Sequence, residues 1–184
     1  MIGRGDHRYV CTSFITDMSQ LFRNVSVRHS LESWDTSNVT NMSQMFQNSS
    51  DSPHGLSNWD VSKVSDMSYM FRESAFNDFI HNWDTSNVIN MSGMFYDNAD
   101  FNKPIGNWDV SNVTNMSKMF DCYPNRNNDG GNFNQPIGNW DTSNVINMSQ
   151  MFYYQEEFNQ NISDWNTQNV VNMDNMLNLS LIHI

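Results

Sequence analysis

Six tryptophans recur at almost fixed intervals, and that spacing decides what this chain can become. Trp34, Trp59, Trp83, Trp108, Trp140 and Trp165 lie 25, 24, 25, 32 and 25 residues apart. Each opens one motif: WDTSNVTNMSQMF (34–46), WDVSKVSDMSYMF (59–71), WDTSNVINMSGMF (83–95), WDVSNVTNMSKMF (108–120), WDTSNVINMSQMF (140–152) and the weaker WNTQNVVNMDNML (165–177). A degenerate copy, VCTSFITDMSQLF (10–22), has Val10 in the tryptophan's place. Seven copies in one phase make an array of like units, each too small to close a core alone, so that neighbours must stack and share one. We number these motifs units one to seven.

The connecting stretches keep the same phase. Phe76, Phe101, Phe133 and Phe158 stand seven residues before a tryptophan, and Leu31, Leu56, Ile80, Ile105, Ile137 and Ile162 stand three before. Val39, Val64, Val88, Val113, Val145 and Val170 stand five after. Met42, Met45 and Phe46 fall at i, i+3 and i+4, one face of a short helix. Asp or Asn precedes the first Met of every copy (Asp17, Asn41, Asp66, Asn90, Asn115, Asn147, Asn172), and these side chains are favoured at an N-cap. Gln44 and Gln150, three residues on, can complete a capping box. The rest of the unit looks extended, with a short strand near the Ile/Leu-to-Trp step and a second extended piece around Ser-Asn-Val. The expected fold is α/β: a right-handed leucine-rich-repeat-like solenoid with one short strand and one short helix per unit of ~25 residues. The expected core is Trp34, Val39, Met42, Met45, Phe46 and their equivalents. The division is an uncapped leader (1–9), the seven-copy array (10–177) with an insertion at 121–132, and a tail or truncated next repeat (178–184).

The motif resembles the BspA-like leucine-rich-repeat surface proteins, and more closely their mycoplasma-type variant with repeated W-D-T-S-N-V-T-N-M-S-x-M-F units. The resemblance covers roughly residues 10 to 177. It implies an extracellular or cell-surface protein used for adhesion or protein binding. The start, MIGRGDHRY, has no apolar signal region, and neither end looks like a polar cap. The chain therefore reads as a fragment of a longer array.

Several chemistries are excluded or weakened. The formal charge of −11 argues against nucleic acid, whose binders display basic patches. No apolar run is long enough for a membrane-spanning helix. The five histidines share no repeat position, no Ser-His-Asp set or phosphate loop can be assigned, and no enzyme or cofactor is expected. Asp35, Asp60, Asp84, Asp109 and Asp141 form an acidic column. One reading is calcium held between units; the simpler one is an Asx-turn on each unit's own backbone. The asparagine column (Asn38, Asn87, Asn112, Asn144, Asn169), interrupted by Lys63, is expected to tie units together. Thr36, Val61, Thr85, Val110, Thr142 and Thr167 raise a flat ice-binding array as an alternative. Cys11 and Cys122 are too far apart in the array to bridge, and Cys122 is expected to be exposed.

The insertion DCYPNRNNDGGN breaks the period, and insertions in arrays map to one face that is often the binding face. Cys122, Tyr123, Arg126 and Asp129 are the candidate partner contacts there, with Tyr153 and Tyr154 flanking them from unit six. The expected role is a non-catalytic, monomeric surface module binding protein or glycan through the strand face and this loop. The alternative is a spacer in a longer surface protein.

Overall fold

In a computed structural model of the protein, the structure describes residues 11–123, 130–178 and 180. The leader 1–9, Val10, 124–129 and most of the tail lie outside the described residues. The units stack as expected, but no unit contains a helix, and no strand exceeds a single bridged residue among the described residues. The α/β solenoid expectation is therefore wrong: this is a stack of turn-built units.

The Met-x-x-Met-Phe run shows why. A helix would send the Phe46 N–H back to Met42. Instead Met45 N–H donates to the Met42 carbonyl, while Met42, Gln44, Phe46 and Asn48 N–H donate to Asp66, Ser68, Met70 and Arg72 carbonyls of the next unit. Alternate amides thus point along the stack. Gln44 and Asn48 reach this arrangement with φ of 57° each. The same left-handed pair recurs at Gln20 and Asn24, Tyr69 and Glu73, and Gly93 and Asp97. Left-handed backbone costs a non-glycine residue ~1–2 kcal/mol. A helix of one to two turns is unfavourable in water, so four cross-unit hydrogen bonds outweigh it.

The residues expected to be N-caps do accept a backbone hydrogen bond. Ser43 N–H donates to Asn41 Oδ1 at 2.9 Å, and Ser19, Ser68, Ser92, Ser117, Ser149 and Asp174 repeat the geometry. These are Asx-turns that launch a turn run rather than a helix. Among the described residues these seven form an unbroken chain of parallel bridges, from Asp17 through Asn41, Asp66, Asn90, Asn115 and Asn147 to Asn172. The predicted strand site is a turn instead, because Trp59 N–H donates to the Leu56 carbonyl at 3.1 Å. Val64 N–H closes a second turn on Val61.

The expected core residues are buried in units two to six, while in the end units Ile15, Leu21, Val170 and Leu177 are partly buried and Met173 is 40% exposed. Trp83, Val88, Met91, Met94 and Phe95 are at most 3% exposed, and the other central units match them. Phe22, Phe46, Phe71, Phe95, Phe120 and Phe152 form one column of rings at 5.5–5.7 Å. Phe76, Phe101, Phe133 and Phe158 form a second at 6.0–6.1 Å. The columns meet at 3.8–4.0 Å within each unit. The indole N–H groups of Trp59, Trp83, Trp108, Trp140 and Trp165 each donate to the carbonyl of Leu31, Leu56, Ile80, Ile105 and Ile137 in the preceding unit. Each tryptophan therefore fills the core and satisfies a buried carbonyl, as a buried indole requires.

Candidate functional site

Positions that repeat are consumed by the stack. Asn38, Asn87, Asn112, Asn144 and Asn169 each donate to a serine carbonyl of the unit before, and Lys63 Nζ donates to Asn38 Oδ1 at 2.9 Å. These bonds line a shallow groove of about 550 Å³ between Asn112, Asn144 and Asn169 and the β-branched Thr114, Ile146 and Val171.

Asp35, Asp60, Asp84, Asp109 and Asp141 each accept the backbone N–H of the serine two residues on, an Asx-turn within the unit. Hydrogen bonds from Ser37, Ser62, Ser111 and Ser143 hold the carboxyls of Asp35, Asp60, Asp109 and Asp141 below the usual carboxylate range. Among the described residues no group of three or more His, Cys, Asp or Glu side chains is placed to hold a metal ion. Most of the threonine array is buried. Thr36, Thr85 and Thr142 are at most 2% exposed and donate to carbonyls of the next unit, and Val61 and Val110 are buried. Thr167, in the last unit, is exposed, so the column offers no flat array to an ice surface.

What varies lies at the end of each turn run. The residue before the second methionine and the three residues after the phenylalanine differ from unit to unit; the third is buried at Ser49, Ser74, Asn98 and Gln155, and the aromatic and cationic members come together on one edge of the stack. All five tyrosines of the described residues (Tyr69, Tyr96, Tyr123, Tyr153, Tyr154) are on this edge. Arg72 is held by Glu73 at 2.7 Å, and its guanidinium carbon stands 5.7 Å from the Tyr69 ring centre and 4.9 Å from that of Tyr96. Lys118 Nζ lies 5.8 Å from the Tyr96 centre. Gly93 makes room for this row: any Cβ there would collide with the Tyr69 ring.

The insertion continues the edge. Tyr123 is 60% exposed, and its ring is 6.1 Å from that of Tyr154, tilted by 36°. Tyr153 meets Tyr154 edge-on at 4.6 Å. The structure thus brings together three of the residues singled out from sequence. Arg126 and Asp129 lie outside the described residues. Cys122 is corrected: it is 2% exposed, not a surface thiol, and its N–H donates to the Tyr153 carbonyl. Burial, then the charges of Asp97, Asp121, Asp100 and Glu156, push its thiol up to about 12, which favours the protonated thiol over the reactive thiolate near neutral pH.

Two carboxylates lie beneath the tyrosines. Asp121 is 2% exposed, its Oδ1 has no partner among the described residues, and burial, opposed by Lys118 and reinforced by Asp97, raises its pKa to about 6. Burial and then Glu73 raise Asp97, whose carboxylate also accepts the Tyr123 N–H. Near the end of the insertion, Gly131 N–H donates to the Tyr154 carbonyl, and the chain re-enters the stack. Sequence reasoning missed Tyr69, Arg72, Tyr96 and Lys118. The available signal was the set of non-repeating positions inside an otherwise constant motif.

No curated protein and no solved structure matches this chain. A family model does match, in three overlapping segments at residues 8–75, 52–131 and 125–181. Together these span nearly the whole array, so the chain belongs to the repeat family described as Mycoplasma protein of unknown function, DUF285.

Proposed function

We propose that the protein is a non-catalytic repeat module that binds a protein or glycan partner at a cell surface through its tyrosine edge, as an adhesion element of a longer surface protein. The observation that carries this reading is the partition of side chains. Framework positions recur from unit to unit, while the variable positions concentrate tyrosine, arginine and lysine on one edge. Tyrosine and arginine give large contact area and adaptable polar tips, and they dominate binding hot spots. The likeness to BspA-like surface proteins supports the adhesive role and the extracellular location. No helix of the described residues is long and apolar enough to cross a membrane.

The test is capture of surface and matrix proteins or glycans by the folded chain. The same capture is run with Tyr123→Leu and Tyr153→Leu combined, and with Asn112→Ser, in the groove lined by Asn112, Asn144 and Asn169, as control. Saturable binding lost in the tyrosine variant and kept in the control supports the reading. Binding kept in the tyrosine variant, or no binding by a cooperatively folded chain, overturns it. The second result favours a spacer, for which the unbroken chain of bridges past the insertion is suited.

A further inference from the structure

The two halves of the tyrosine edge differ in one respect. In the first half the rings already carry cations of the same chain, Arg72 over Tyr69 and Tyr96 and Lys118 over Tyr96. In the second half, among the described residues, no cation stands over Tyr123, Tyr153 or Tyr154. Anions are present instead. Asp97, Asp100, Asp121 and Glu156 all act on Cys122 at the centre of this half, and Lys118 is the counter-charge acting on Asp121. Asp121 keeps a buried oxygen with no partner among the described residues. Tyr123 is exposed and Tyr153 and Tyr154 are half-buried, and a negative field beside accessible aromatic faces favours a cation at the rings.

We propose that Tyr123, Tyr153 and Tyr154, with Asp97 and Asp121 beneath them, form a seat for an arginine side chain presented by a protein partner. A guanidinium lies flat on an aromatic face and is less strongly hydrated than an ammonium, so it suits a tilted pair of rings better than lysine does. The molecule uses the same pairing internally, with Arg72 at 4.9 Å from Tyr96. Its charge of −11 draws basic segments to the surface. This deepens the binding role proposed above and rests on it, because it names the group that the edge reads.

The probe is an amidated hexapeptide of alternating serine and arginine, titrated into the full chain and followed by ring and backbone NMR shifts. A neutral twin carries citrulline for arginine, and a third arm uses tetramethylammonium, which stands for a quaternary headgroup. The expected result is saturable shifts at Tyr123, Tyr153 and Tyr154 with the arginine peptide and none with the citrulline twin. Tyr123→Leu weakens binding several-fold to about tenfold while Tyr123→Phe retains it, since the attraction needs the ring and not the hydroxyl. Tyr123 is exposed, so these variants fold. Equal binding of the citrulline peptide overturns the proposal. So does binding untouched by Tyr123→Leu, which would be diffuse attraction to the acidic surface, or tighter binding of tetramethylammonium than of the peptide. Binding that appears only in Arg126→Ala also overturns it, because the chain's own arginine would then fill the seat. A natural partner captured at the edge together with a silent arginine peptide would sink this inference and leave the broader reading standing. Peptide binding with no natural partner captured would do the reverse.

Discussion

Trp108 does two jobs at one position. Its ring is 3% exposed and lies 6.2 Å from Trp83, and its indole N–H donates to the Ile80 carbonyl at 3.1 Å. Trp108→Ala removes the packing and orphans the carbonyl, so it should cost ~3–5 kcal/mol in denaturant unfolding. A loss below ~1 kcal/mol would mean that the ring is not part of the core. The carboxyls make a different prediction, on pH. Asp35, Asp60, Asp109 and Asp141 are held low by serine hydrogen bonds. Their contribution is present above the ordinary carboxyl value of 3.8 and is lost as pH falls below it. Asp121 runs the other way. Its pKa rises from 3.8 to about 6 on folding, so its contribution is complete below 3.8 and fades as pH climbs towards 6. The melting temperature should therefore fall as pH rises from 3.8 to about 6. Asp121→Asn should flatten that fall and raise the melting temperature at neutral pH. An unchanged slope in Asp121→Asn would show that Asp121 is not the group responsible.

At the scale of the unit, the insertion poses a backbone problem that one side chain solves. In unit three, Ser74 Oγ donates to the Phe71 carbonyl and accepts the Phe76 N–H. In unit five the equivalent residue is the exposed Tyr123, which cannot serve. Gln155 of unit six, 2% exposed, takes over: its amide donates to the Phe120 carbonyl and accepts the Phe133 N–H at 3.0 Å. Gln155→Ala leaves both groups buried and unpaired, at ~1–3 kcal/mol each. The expected total loss is a few kcal/mol, concentrated in units five and six. A near-neutral result would show that the insertion is held by other means. Much of this unit was legible in the sequence, because burial repeats with the motif. The core columns, the Asn ladder and the Asx geometry at Asn41 and its equivalents all follow from residue type and phase. The helix at 42–46 was misread because i, i+3, i+4 spacing after an Asx residue also fits overlapping turns. What separates the two is the left-handed backbone at Gln44 and Asn48, and Gly93 at the equivalent position was its faint trace. The burial of Cys122 was illegible because it comes from cross-unit pairing, not from local pattern.

For the whole molecule, the hydrogen-bond direction sets where stability resides. Every turn run donates to the next unit: Met91 N–H to Asn115, Met116 N–H to Asn147, Met148 N–H to Asn172. A central unit is thus tied on both sides, and its core is covered by two neighbours. Unit seven is tied on one side by described residues, and there Val171 is 84% and Met173 40% exposed. In a one-dimensional stack, stability is a sum of weak unit terms and strong interface terms, so opening proceeds from the ends. Native-state hydrogen exchange of the 184-residue chain should therefore give its slowest amides at Met91, Phe95, Met116 and Phe120. Phe152 should be intermediate, and the amides of 173–177 fastest. The insertion adds a specific expectation. The Cys122 and Gly131 amides bond across to unit six at Tyr153 and Tyr154, so they should exchange with the middle of the stack rather than with a free loop. Protection at those two amides would show that the loop is anchored at both roots, which holds Tyr123 against Tyr154 on the binding edge. Fast exchange there, or uniform protection from end to end, would instead mean that the stack opens as one block and that the edge is not preorganised.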